Sequence, residues 1–267
     1  MRSPKAYAEQ VLQSLDITRP EDLELLDAIA FERGAIVRYK PIDGAEARIT
    51  IAGRQAIITI STNIADPRRR RFSVAHELGH FEMHRKLSAL AICTSKDFEF
   101  RQVAQQIEQD ANLFAASLLM PESIIKPLID DSDLSLSLAR AIADTFKVSL
   151  TAASRRMVEF SHESCAVVLS QDGFIRWFQG SPSFHEQGLF VDVKASVVPD
   201  TPAGLYFHRG AISDQPRRVQ AEAWLRRGTL GRQTTLLEQS IPLPNYRAVL
   251  TLLLIDEDSA EDDWRDE

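Results

Sequence analysis

His76-Glu77-Leu78-Gly79-His80 is the most informative stretch of this chain. It lies inside a predicted helix that begins at Asp66-Pro67, a capping residue followed by proline at the first helical position, and runs to about Leu87. His76 and His80 are four residues apart, so on a helix their side chains project from the same face, one turn apart. Two imidazole nitrogens placed in this way can bind one zinc ion at about 2.0–2.1 Å.

Glu77 follows the first histidine and is expected to lie beside the metal without binding it. A carboxylate in that position can accept a proton from water, which is the general-base role in zinc metalloproteases. Three fixed positions in five residues also recur by chance, so a helix that merely carries two surface histidines is the alternative interpretation.

Glu108 is the main candidate for a third ligand, because a catalytic zinc site takes three protein ligands and keeps one position open. It lies in a long helix predicted over 101–120, near Ile107 and Ala111 on the apolar side, and a buried carboxylate is costly without a partner. Asn112 is one turn further along and is placed to hydrogen-bond a ligating histidine. A surface glutamate at the edge of the helix is the alternative interpretation.

Two other residues remain candidates for the third ligand. Asp110 is predicted to point elsewhere on the same helix and is the second choice. His84 lies one turn beyond His80, where a histidine more often packs or hydrogen-bonds than binds a metal. A histidine six residues after His80, as in another zinc-protease motif, is excluded because position 86 is lysine.

The first part of the chain alternates helical and strand-like segments. Two short helices are predicted before Gly34, and the strands that follow form a small sheet whose last two members are joined by a tight turn at Gly53-Arg54. Residues 134–160 are predicted to form two helices separated near Lys147-Val148, a helix-turn-helix-like segment for which packing is favoured over DNA binding. The three predicted strands are Ala35–Tyr39, Ala47–Ala52 and Gln55–Ser61.

The character of the sequence changes from Cys165 onward. Alternating and aromatic runs separated by prolines predict a strand-rich region, so we expect an α+β protein with three parts. These are a helical domain with a small N-terminal sheet over 1–163, a strand-rich domain over 164–255 with a regulatory role, and an acidic tail over 256–267. The predicted C-terminal strands are Cys165–Leu169, Gly173–Phe178, Leu189–Val193, Gly204–His208 and Val249–Ile255.

The motifs together resemble the ImmA/IrrE-type metallopeptidases. The similarity covers about residues 20–160, including Asn63 and the strands before the arginines. The residues that carry it are Arg70-Arg71-Phe72-Ser73-Val74-Ala75-His76-Glu77-Leu78-Gly79-His80, followed by Glu108, Ala111-Asn112, Phe114-Ala115 and Leu118-Leu119-Met120-Pro121.

This resemblance implies a zincin-like fold and a zinc endopeptidase of gluzincin type. Members of the family cleave helix-turn-helix transcriptional repressors and thereby release stress-response or mobile-element genes. Carried over to this sequence, His76, His80 and Glu108 are the Zn²⁺ ligands and Glu77 is the catalytic base. A repressor substrate is expected to be a separate protein.

Composition and charge point to a cytoplasmic protein. The net charge of −7 is accounted for by residues 256–267, so the remainder is neutral overall, which argues against direct nucleic-acid binding. The longest apolar run, Ala248–Ile255, has eight residues, whereas a membrane-spanning helix needs about 20, and no signal peptide is recognised. The cysteines are Cys93 and Cys165, both expected to be buried and unreactive.

Two functional hypotheses follow from the sequence. The first is a zinc endopeptidase that cleaves a regulatory protein. The second is a DNA-binding or effector-sensing regulator whose metal site is structural or vestigial. Glu77 favours the enzyme, because a structural zinc site usually fills all four positions and needs no carboxylate beside the metal.

Overall fold

The computed structural model describes residues 2–84, 98–210, 213, 215–226 and 234–255, and these form a mixed α+β fold. The chain divides into two compact units. The first contains residues 1–125 and 143–149, and the second contains 126–142 and 150–267. Among the described residues, no helix is both long enough and apolar enough to cross a membrane. Cys93 and the acidic tail over 256–267 lie outside the described residues.

The helices and strands are numbered separately in chain order. The helices of the described ranges are α1 (Pro4–Ser14), α2 (Leu26–Glu32), α3 (Pro67–His84), α4 (Phe98–Leu119), α5 (Glu122–Asp130), α6 (Leu136–Thr145), α7 (Leu150–Phe160), α8 (Pro182–Glu186) and α9 (Pro202–Arg209). The strands are β1 (Ala35–Lys40), β2 (Ala47–Ala52), β3 (Gln55–Ser61), β4 (Cys165–Gln171), β5 (Phe174–Gly180), β6 (Arg217–Gln220), β7 (Thr235–Leu243) and β8 (Ala248–Ile255).

The first unit contains a three-stranded sheet in the order β1-β3-β2. β1 runs parallel to β3 and β2 runs antiparallel to it, and Gly53, with φ at +64°, lies in the turn between β2 and β3. Successive strand residues face opposite sides of a sheet, so Ala56, Ile58 and Ile60 of β3 share one face, and all three are buried. The small N-terminal sheet predicted from the sequence is confirmed.

The helix α3 packs against α4 in the first unit. Its start is confirmed, since the Asp66 side chain accepts a 2.8 Å hydrogen bond from the Arg68 amide and caps the first turn. The predicted end near Leu87 lies outside the described residues, which break off after His84. The buried residues of this helix pair include Val74, Leu78, Phe81, Ala111, Phe114 and Leu118.

The second unit contains an antiparallel five-stranded sheet in the order β5-β4-β8-β7-β6. β4 and β8 lie at its centre and are buried on both faces along most of their lengths. Cys165 at the start of β4 is fully buried, as expected. The two helices predicted over 134–160 are also found, as α6 and α7. A strand-rich C-terminal region is confirmed, whereas its separation at 163/164 and its regulatory role stay predictions.

Two predicted strands of this region are wrong. Residues 204–208 form part of helix α9, because the Thr201 side chain caps its start, Pro202 stands at the first position and Gly210 ends it at a φ of +68°. Residues 189–193 form no strand among the described residues and contribute one isolated bridge, between Val191 and Leu225. At residues 204–208 the capping residues of α9 therefore override the apolar alternation.

Candidate metal centre

The helix pair α3 and α4 brings three metal-type donors together. His76 and His80 project from α3 with their Nε2 atoms 3.0 Å apart. Glu108 of α4 lies opposite, with Oε2 at 3.3 Å from Nε2 of His76 and Oε1 at 3.5 Å from Nε2 of His80. The three side chains thus offer two nitrogens and a carboxylate to one point.

These three distances match the geometry of a zinc site. Ligands at about 2.0–2.1 Å from a tetrahedral zinc ion lie about 3.3 Å from one another. The two nitrogens are 3.0 Å apart, and each lies 3.3 or 3.5 Å from one of the two Glu108 oxygens, so all three separations are close to that value. Two histidines and one glutamate are also a catalytic type of donor set, since they leave one position of the tetrahedron free.

The protonation state of His80 suits metal binding. Burial, and after it the neighbouring His76 and His84, lowers the pKa of the His80 imidazole to about 4. The ring is therefore neutral at neutral pH, and one of its nitrogens carries a free electron pair.

Asn112 orients the other histidine. Its Oδ1 lies 3.0 Å from Nδ1 of His76, as expected for the residue one turn after Glu108. An amide oxygen can only accept, so the Nδ1–H of His76 donates this hydrogen bond and the Nε2 electron pair faces the donor cluster.

Glu77 is buried at the same helix turn, with 9% of its surface exposed. Desolvation raises the pKa of its carboxyl to about 7, and the negative charge of Glu108 contributes in the same direction. A carboxyl group with a pKa near neutrality takes up and releases a proton readily at physiological pH, which is the property that a general base requires.

The burial expected for Glu108 is wrong. Its side chain is 61% exposed, because the buried stripe of α4 runs through Ala111, Phe114 and Leu118, and Glu108 lies at the edge of that stripe. The carboxylate nevertheless lies beside both histidines. The cost of burying a charge therefore does not explain the position of this carboxylate.

The two other candidates lie outside the three-donor cluster. His84 is buried, with 3% exposure, and its Nδ1 lies 3.3 Å from Nδ1 of His80. Asp110 has one carboxylate oxygen 4.0 Å from Nε2 of His84. From the sequence, Asp110 is predicted only as an alternative ligand, and His84 as a residue that more often packs or hydrogen-bonds than binds a metal. The closeness of these two side chains to one another is not predicted. The spacing of His76, His80 and His84 at successive turns could have revealed the contact of His84 with His80, whereas the position of Asp110 beside His84 depends on how α3 packs against α4.

Comparisons with known proteins found one matching family model and a solved structure of similar fold. Residues 32–158 match the model of a peptidase family described as the IrrE N-terminal-like domain. No curated protein matches the chain significantly. A solved structure described as a Mycobacterium tuberculosis transcriptional regulator is similar with a TM-score of 0.59 and 15% sequence identity, over 97% of this chain and 77% of that chain. At this identity the likeness shows the fold alone.

Proposed function

We propose that this chain, whose residues 32–158 belong to the IrrE N-terminal-like peptidase family, is a zinc-dependent endopeptidase. The observation that carries the proposal is the cluster of His76, His80 and Glu108, with donor separations of 3.0–3.5 Å beside the buried Glu77. A peptidase family of this kind implies a protein substrate.

Each residue of the site has its own role in the proposed peptide hydrolysis. His76 and His80 would hold the metal through Nε2, and Glu108 would hold it through its carboxylate. When bound, zinc supplies a Lewis acid that polarises the scissile carbonyl and activates water. Glu77 accepts a proton from the attacking water at its carboxylate and delivers it to the leaving amine.

Asn112 and the surrounding helices keep these groups in position. The hydrogen bond from His76 to Asn112 fixes the rotation of that imidazole, so its Nε2 stays directed at the cluster. The metal-binding side chains are thereby held in position before the substrate binds. Little conformational entropy of these side chains is then lost during the reaction.

The substrate we propose is a regulatory protein in the cytoplasm, a helix-turn-helix transcriptional repressor of a stress or mobile-element response. The resemblance of residues 20–160 to the ImmA/IrrE-type metallopeptidases supports this substrate. We also propose that residues 1–163 are the metallopeptidase domain and that residues 164–255 regulate it.

Cleavage of a repressor encoded beside this gene tests the proposal. The zinc-loaded protein should generate one or a few new N-termini in the repressor, and removal of the metal with a chelator should abolish them. An exposed glutamate on another helix, Glu32, offers a control, and Glu32→Gln should cleave like the wild type. Specific binding to promoter DNA without cleavage would instead support a regulator with a structural or vestigial metal site.

A further inference from the structure

We propose that His84 and Asp110 form an outer support for the metal site, in which His84 positions the imidazole of His80 and Asp110 orients His84. The inference rests on the proposed metal site and assigns neither residue as a ligand. It concerns the side of His80 that faces away from Glu108.

The contact between His80 and His84 is close and enclosed. Their Nδ1 atoms are 3.3 Å apart, and the ring centroids are 5.5 Å apart at an angle of 52°. With 3% of its surface exposed, His84 is held by packing, so its ring cannot swing freely. The two imidazoles lie one helical turn apart on the same face of α3.

The position of the protons follows from the direction of each nitrogen. Nε2 of His80 faces His76 and Glu108, so it must carry the free electron pair if a metal binds there. The single proton of the neutral His80 ring then sits on Nδ1 and points at Nδ1 of His84. His84 must accept this hydrogen bond, and its own proton therefore sits on Nε2.

Asp110 lies at that outer nitrogen. One of its carboxylate oxygens is 4.0 Å from Nε2 of His84, too long for a direct hydrogen bond but close enough for the negative charge to attract the N–H group. Gln106 donates a 2.8 Å hydrogen bond to the other carboxylate oxygen. The carboxylate is thus anchored on α4, and it favours the tautomer of His84 that can accept from His80.

Both ligating histidines are therefore supported from α4, but in different ways. His76 reaches Asn112 directly, at 3.0 Å, whereas His80 reaches Asp110 through one intervening imidazole. Partners of this kind fix the orientation of a ligating histidine, and their loss typically costs about 10- to 100-fold in metal affinity. The same loss is expected for a variant that removes the acceptor at position 84.

The test compares two substitutions of His84 in the full chain. In His84→Asn the amide oxygen takes the place of the Nδ1 acceptor, and in His84→Leu no acceptor remains. Zinc affinity is measured by competition with a chromophoric chelator, and the ligand field by the visible absorption of the Co²⁺-substituted protein. Melting temperatures of the metal-free proteins report any effect on folding.

We expect His84→Leu to bind zinc about 10- to 100-fold more weakly with an altered Co²⁺ spectrum, and His84→Asn to stay close to wild type in both. Wild-type affinity in His84→Leu would overturn the inference and leave the proposed function intact. Equal losses in both variants, with lowered melting temperatures of the metal-free proteins, would also overturn it by showing a merely structural role. A wild-type protein without zinc affinity would overturn the proposed function itself.

Discussion

Gly79 of α3 lies directly against Phe114 of α4, and a Cβ atom built on Gly79 would stand only 2.9 Å from Cδ1 of the phenylalanine ring. The absence of a side chain at position 79 thus sets how closely the two helices approach. Since His76 and His80 lie on one helix and Glu108 on the other, this approach also sets the size of the donor cluster.

Gly79→Ala should therefore weaken both folding and metal binding. The added methyl group must displace a fully buried ring, and overpacking of this kind typically costs about 1–3 kcal/mol. Chemical denaturation of the metal-free protein measures the free energy of unfolding, and chelator competition measures the zinc affinity. Gly79→Ala combined with Phe114→Leu should recover part of both losses, because leucine vacates the space of the ring. Unchanged stability in the single variant would contradict the assigned contact.

Metal analysis should find one zinc ion per chain. Replacement of His76, His80 or Glu108 by alanine removes one of the three donors and should abolish stoichiometric binding at low micromolar zinc. His162→Ala is the matched control, because that side chain is 75% exposed and lies in the other unit. Full occupancy in Glu108→Ala would assign the third ligand to another residue.

A buried glutamate in the second unit should make stability depend on pH. Glu238 is fully buried and accepts hydrogen bonds from the Ala203 amide, the Trp224 indole and the Ser240 hydroxyl. Desolvation raises the pKa of its carboxyl above 4.5, the ordinary value, although these hydrogen bonds oppose the shift. Between the two pKa values the folded state holds a proton that the unfolded chain has released, so stability falls as pH rises through this window.

Glu238→Gln removes this titration and should flatten the decline of the unfolding free energy above pH 4.5, which denaturation at a series of pH values would measure. Glu222→Gln serves as its control, because Glu222 is exposed. A slope identical in wild type and Glu238→Gln would show that the carboxyl has the same pKa in both states.

Cys165 should resist thiol reagents in the folded protein. The residue is fully buried, and desolvation raises the pKa of its thiol to about 11, so the reactive thiolate is scarce at neutral pH. In a Cys93→Ser background, iodoacetamide should label position 165 slowly under native conditions and rapidly after unfolding in guanidinium chloride. Rapid labelling of the native protein would contradict this burial.

The sequence predicts those relations between candidate side chains that are set within a single helix. His76 and His80 share a helix face whatever the rest of the fold does, and Asn112 keeps a fixed relation to Glu108 for the same reason. The exposure of Glu108 and the contact between His84 and Asp110 depend on how α3 and α4 pack. Spacing along one helix contains no such information, and those features become visible only in the structure.

The position of β7 in the C-terminal sheet is a second feature that the sequence does not predict. β7 spans Thr235–Leu243 and contains Pro242, which argues against a central strand. In the structure, β6 pairs with Thr235–Glu238 alone among the described residues, so Pro242 lies beyond that pairing. In the part of the chain that the structure describes, no strand pairs with Pro242 on the β6 side, so the missing N–H group of the proline costs no ladder hydrogen bond there. Which part of a strand forms an edge is a property of the whole sheet, and local composition does not reveal it.

Cleavage by the Glu77→Gln variant is the most direct test of the central claim, that this chain is a zinc endopeptidase with Glu77 as its general base. The substitution keeps the size of the side chain and all three donors, so zinc content and melting temperature should remain those of the wild type. Loss of the proton acceptor should slow cleavage of the repressor by about 10²- to 10⁴-fold, while the variant still captures the intact repressor in a pull-down. Cleavage by the zinc-loaded Glu77→Gln protein at the wild-type rate would contradict the account.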